Sequence, residues 1–343
     1  MSLIRPEDDS LHERSSDPLW NESGYFGFMV PERALEGAIY VYHRPNMNYV
    51  VGGVILWDPT GREIYDCLFH DCGTPHPTPE GADMFDLELS NGLKVECLEP
   101  LRLIRFTYRS ADPSWYFSQG CSLDLEYVGI TPPHQSMMPA GQQEWGGDPR
   151  KSVVDGKLAN GHFRQPGRMR GTIELDGETI EVDSYSMRDR SWGPRRMSKN
   201  PRGGLYWAIA SDDCYFQVLN VAALPPESDP VEGAVDPILS GCFLKDGLLG
   251  DVHSGTVEVV KRDPDGSPRE FAVAFVDSHG RSFEATGVAR NMLKWTGGYL
   301  FLLQFWAQVE WTFNDGQTAL GEGMDWWPIQ HVRRHIRSLP GRA

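Results

Sequence analysis

The sequence has no apolar run long enough to cross a bilayer. Its longest, Tyr299 to Trp311, is broken by Gln304, Gln308 and Glu310, and a spanning helix needs roughly 20 apolar residues. The opening Met-Ser-Leu-Ile-Arg-Pro-Glu-Asp-Asp is acidic and lacks an apolar core. No secretory signal is therefore expected, and the chain reads as cytoplasmic. Cysteine is scarce: Cys67, Cys72, Cys97, Cys121, Cys214 and Cys242 are scattered among 343 residues. They read as reduced thiols rather than a disulfide framework. Positive charge is short, with 32 Lys and Arg against 48 Asp and Glu for a net charge of −16. Nucleic acid and anionic membranes, which need a basic face, are poor partners for such a chain.

Common catalytic signatures are missing too. There is no G-x-x-x-x-G-K-[ST] loop, no G-x-G-x-x-G after a strand, no H-E-x-x-H and no G-x-S-x-G. Nucleotide cradling, zinc proteolysis and a hydrolase elbow are all unsupported. Helical periodicity is absent from the body of the chain. The best helical segment is the tail from Trp327 to Leu339, which reads equally well as a strand end followed by a basic terminus.

Turn residues and period-two alternation are abundant, with 36 Gly and 25 Pro, well above the usual share of roughly 12%. Cys121-Ser-Leu-Asp-Leu-Glu-Tyr-Val puts Cys121, Leu123, Leu125 and Tyr127 on one face. Leu101 to Tyr108 alternates with a slip at Leu103/Ile104, as a bulge requires. Ile173-Glu-Leu and Thr179-Ile-Glu-Val flank Asp176-Gly177, a type I′ hairpin signal. Strands and turns of this spacing predict an all-β chain of barrels or sandwiches. At this length two domains are expected. Thr131 to Arg150 reads as a long loop, and a boundary near residue 165 divides a domain 1–165 from a domain 166–343.

Three places gather chemistry. Cys67-x-x-His70-Asp71-Cys72-x-x-x-His76 has zinc-like spacing, but no second half completes it, so no metal is assigned. Asp325-Trp-Trp places a carboxylate against indoles as an acid or water-orienting base. The densest stretch is Tyr185-Ser-Met-Arg-Asp-Arg-Ser-Trp-Gly-Pro-Arg-Arg196. If the strand through Ile180 and Val182 continues, Tyr185, Met187 and Asp189 share a face and Arg188 takes the other. An apolar pocket would let Asp189 hold a proton, while Arg188, Arg190 and Arg195 favour its ionised form. The bland alternative is an Arg–Asp network bracing a corner at Trp192-Gly193-Pro194.

This stretch, with Gly161-His-Phe-Arg-Gln-Pro-Gly-Arg168 before it, resembles a bacterial family with paired domains of unknown function. More distantly it is similar to the carotenoid 1,2-hydratase and AttH-like group. Weaker agreement covers Trp57-Asp-Pro-Thr-Gly and Asp315-Gly to Gly323. The resemblance implies two lipocalin-like antiparallel β-barrels side by side and a pocket for an isoprenoid or polycyclic molecule. These relatives commonly carry His after the motif Asp, where this chain has Arg190, which cannot shuttle a proton near neutral pH.

Two readings of function follow. In one, a cofactor-independent enzyme hydrates, dehydrates, isomerises or cyclises a hydrophobic small molecule, as a lyase or isomerase. Asp189, Asp325 and Tyr185 would be catalytic. Trp192, Met187, Trp207, Trp326 and His43 would bind substrate, and Arg188, Arg190, Gly193 and Arg195 would form the structural motif. In the other, the chain is a non-catalytic carrier of such a molecule. A homodimer is left open. The motif corner is expected at the contact between the barrels, with Arg188 paired to carboxylates and Asp189 and Trp192 facing an apolar cavity of the second barrel.

Overall fold

The alternation read from the sequence becomes the inside and outside of two curled sheets. In the strand Cys121–Gly129 the residues Cys121, Leu123, Leu125 and Tyr127 are buried, while Asp124 and Glu126 are exposed. The computed structural model describes residues 4–110, 120–135, 153–154, 157–158, 160–195, 201–223, 234–296 and 302–340. Most of the expected loop Thr131 to Arg150 lies outside them. Its described part contains the short strand His134–Gln135.

The chain divides into two compact units. The first comprises Met1–Leu56 and Leu68–Met197, and the second comprises Trp57–Cys67 and Ser198–Ala343. The boundary expected at 165 is therefore corrected. Residue 165 lies inside the strand Gly161–Leu175, which pairs along its length with Glu178–Pro194 around Asp176 and Gly177. Both turn residues have positive φ, 53° and 81°, as a type I′ turn requires. The Arg188–Arg195 motif thus belongs to the first unit, not the second.

In the first unit an antiparallel sheet runs from Phe69–Asp71 through Tyr49–Trp57, Leu35–Arg44, Trp20–Val30, Glu178–Pro194, Gly161–Leu175, Cys121–Gly129, Leu103–Arg109 and Leu93–Glu99 to Asp86–Glu88. It curls as a half-barrel around one core, in which Val54 and Phe69 from one end meet Val95 and Tyr108 from the other. The expected bulge is present, but on the partner strand. Register slips between Cys97 and Glu99 opposite Ile104 and Leu103.

In the second unit, eight strands close into a ring, because Ser282–Ala289 pairs with both Pro268–Asp277 and Leu302–Phe313. Aromatic side chains fill it, among them Phe216, Phe271, Phe283 and Trp311. The strand Thr318–Pro328 ends in the helix Ile329–Ser338, whose Val332 packs on this core. No helix of the described residues is long and apolar enough to cross a membrane.

Candidate functional site

Counting outward from the Asp176–Gly177 turn puts Arg164 opposite Asp189, His162 opposite Ser191 and Gly161 opposite Trp192. Alternation then separates two groups. Ser186, Arg188, Arg190 and Trp192 face the core and are buried, while Tyr185, Met187, Asp189 and Ser191 take the opposite face. The expected division of Asp189 from Arg188 is what the structure shows. Trp192 is corrected: it shares the face of Arg188 and Arg190, so Asp189 and Trp192 do not point into one cavity.

On the outer face, Asp189 Oδ2 accepts two bonds, from His162 Nε2 at 2.6 Å and from Arg164 Nε at 2.8 Å. Arg195 donates to Ser191 Oγ, and Ser191 in turn meets Ser23 Oγ at 2.8 Å. Burial alone would raise the Asp189 pKa. The neighbouring His162, Arg164 and Arg195 outweigh it and hold the carboxyl well below the ordinary carboxylate range. Asp189 is thus ionised at neutral pH, rather than holding the proton that an apolar pocket would give it. Burial, aided by Arg164, lowers the His162 pKa against the pull of Asp189, so the imidazole is neutral.

The tautomer follows. Nε2 faces an ionised carboxylate and must donate, leaving the lone pair on Nδ1. Among the described residues, Nδ1 makes no hydrogen bond. The side chains of His162 and Asp189 are 24% and 23% exposed, so the pair is within reach of a ligand. Arg164 is buried, and its Nη1 has no partner among the described residues. An unmet N–H of this kind costs ~1–3 kcal/mol. Tyrosines stand in register with the pair: Tyr25 sits across from Asp189 and Tyr40 beyond it, in the order of the strands. Tyr40, Tyr42 and Tyr49 form a run with ring centroids 5.6 and 6.4 Å apart.

The inner face is a buried ion cluster that locks the segment before the first strand. Arg188 pairs with Asp9, while Arg190 Nη2 meets Glu22 Oε2 at 2.6 Å and bonds the carbonyl of Ser10 at 2.9 Å. His12 bridges Glu22 at 3.0 Å and Asp8 at 3.1 Å. Trp192 lies across Gly161, where any Cβ would come within 2.1 Å of the indole. Burial would raise Glu22, but Arg190 and His12 bring it down to about 2. His43, paired across the strands with Glu22, is pushed down to about 4 by burial, and its Nε2 has no partner.

The remaining expected residues have other surroundings. Tyr185 lies under the Arg168 guanidinium, 4.9 Å from its ring centre, and Met187 is buried. Asp325, Trp326 and Trp207 belong to the second unit. There Asp325 accepts from Arg262 Nη1 at 2.7 Å and from Trp327 Nε1 at 2.9 Å. Trp207 Nε1 donates to the buried Glu322 at 3.1 Å. Trp326 lies over Gly203. In the Cys67–His76 stretch, Asp71 is taken by Tyr108 and Asn91, and His76 Nδ1 meets Ser90. Among the described residues, no group of three or more His, Cys, Asp or Glu could hold a metal.

His162 is the residue that sequence reasoning missed. Arg190 follows Asp189 in the motif, yet an imidazole still reaches Asp189, from the adjacent strand. The hairpin register was the signal that could have found it.

A family model described as "Domain of unknown function (DUF7064)" matches residues 5–326, across both units. No curated protein matches the sequence. Among solved structures, a candidate AttH protein from Nitrosomonas europaea has a TM-score of 0.58 at 14% identity, over 95% of this chain and 96% of that one. Kievitone hydratase from Nectria haematococca has a TM-score of 0.53 at 10% identity, over 91% of this chain and 90% of its own. Both share the fold of this protein. The chain belongs to the family defined by the domain of unknown function DUF7064.

Proposed function

We propose that this protein is an acid–base enzyme acting on a hydrophobic small molecule, with His162 as the proton carrier and Asp189 as the residue that orients it. The carrying observation is the 2.6 Å bond between His162 Nε2 and the ionised Asp189, which leaves Nδ1 as the basic nitrogen. His162 Nδ1 takes a proton from the substrate or from water, and Asp189 stabilises the imidazolium that forms. Returning the proton to a leaving hydroxyl completes a dehydration, and the reverse path is a hydration. Returning it to a different carbon completes an isomerisation. The reading therefore keeps the lyase or isomerase class but moves the proton from Asp189 to His162. The tyrosines in register with the pair suit an aromatic or polycyclic substrate. A hydratase among the proteins sharing the fold is consistent with this chemistry.

The test is proton exchange. Hydrophobic alkenes, alcohols and ketones are incubated with the protein in D2O and read by mass. Deuterium uptake or change of water content that His162→Ala abolishes supports the reading. A molecule that binds and leaves unchanged, equally in wild type and His162→Ala, sinks it in favour of the carrier.

A further inference from the structure

Two groups bond the same Asp189 oxygen, and each keeps one nitrogen unspent. Among the described residues, His162 keeps a lone pair on Nδ1 free, and Arg164 keeps a buried N–H on Nη1 without a partner. One carboxylate oxygen thus holds both a base and a hydrogen-bond donor.

An imidazole is too weak to remove a proton from an ordinary carbon. It becomes competent when the electron pair left behind moves onto an oxygen held by a fixed donor. Resting on the proton-transfer reading above, we infer that Arg164 is the oxygen-binding residue of the site. The substrate class narrows to hydrophobic ketones, enones and phenols with an enolisable or conjugated oxygen. The step balances. His162 Nδ1 takes the proton from the carbon beside the carbonyl, and that C–H electron pair becomes the enolate, whose oxygen sits on Arg164. Collapse of the enolate expels a β-hydroxyl, which regains the proton from His162 and leaves as water. Addition of water to the enone retraces the path.

The probe is a series of substituted 2-naphthols of graded acidity, whose naphtholate oxygen imitates the enolate, with binding followed by calorimetry. Affinity should rise with naphthol acidity. Arg164→Gln should weaken the most acidic member on the order of 10-fold or more, since charged hydrogen bonds are among the strong ones. Arg164→Lys keeps the charge without the fork, so it should lose part of that affinity and serves as the test if the Gln variant does not fold. His162→Ala should keep the naphtholate affinity and lose exchange. Affinity indifferent to acidity or to Arg164, or no binding by any naphthol, overturns the inference. If His162→Ala still abolishes exchange in that case, the proton-transfer reading stands alone. If exchange survives His162→Ala while Arg164 governs affinity, the base assignment falls and the oxygen site remains.

Discussion

The indole of Trp192 lies parallel to the imidazole of His12, with ring centroids 4.1 Å apart and planes 7° from coplanar. One end of the motif strand is thereby fastened to the segment preceding the first strand. His12 also bonds Glu22 and Asp8, and the Arg190 guanidinium stands 5.3 Å from the Trp192 ring. The tryptophan expected at a substrate pocket is buried in this packing.

Trp192→Ala should therefore act on stability. The ring is 3% exposed, and removing a buried aromatic costs ~3–5 kcal/mol. Urea unfolding should show the loss, and proteolysis should reach the residues around His12 sooner. Substrate or naphthol affinity that falls in the variant with its stability intact would return Trp192 to the binding site.

Acid should unfold the first unit in two windows. His43 is held down to about 4 from an ordinary 6.5, so its contribution is complete above 6.5 and is lost as pH falls from there through 4. Glu22 is held down to about 2 from 4.5, so its contribution is complete above 4.5 and fades as pH falls towards 2. Each shift corresponds to about 3 kcal/mol at most. His43→Gln should flatten stability between pH 6.5 and 4, and Glu22→Gln should flatten it below 4.5. Slopes unchanged from wild type would contradict these assignments.

Much of this architecture was legible because it is local. The Asp176–Gly177 turn, the face of Cys121–Tyr127 and the all-β class follow from alternation and turn chemistry over a few residues. The domain boundary was misplaced because the strands Gly161–Leu175 and Glu178–Pro194 run through it as one hairpin. The partners of the motif arginines were hidden by distance, since Arg188 pairs with Asp9, 179 residues away. Asp189 was found, but the sequence left its protonation open between an apolar pocket and the motif arginines. Its hydrogen-bond donors, Arg164 and His162, lie across the hairpin, and register rather than proximity in sequence brings them there.

The dyad can be tested without a substrate. Asp189 raises the His162 pKa, while burial and Arg164 lower it. Asp189→Asn removes the raising contribution, so the His162 pKa should fall further below 6.5, visible in its imidazole NMR titration. Exchange by the wild type should need the neutral imidazole, rising with pH through the His162 titration and levelling by neutrality. Asp189→Asn should lower the plateau and shift the rise to lower pH. A His162 titration indifferent to Asp189 would break the link.

The pair Arg262–Asp325 gives the last expectation, for the second unit. Both side chains are 2% exposed, and their contact is 2.7 Å. Asp325 also accepts from Trp327, whose ring lies 5.4 Å from the Arg262 guanidinium. A carboxylate spent on these two partners is a brace, whereas a general acid or water-orienting base needs an acceptor or proton to spare. Asp325→Ala strands a buried guanidinium and should cost ~3–5 kcal/mol. Replacing both members, as Arg262→Met with Asp325→Leu, removes the stranded charge and should recover much of that loss. Both effects are measurable by chemical denaturation. If the double variant is folded yet has lost exchange activity, Asp325 belongs to the chemistry after all. If it is folded and active, the ion pair is structural and the catalytic carboxylate is Asp189 alone.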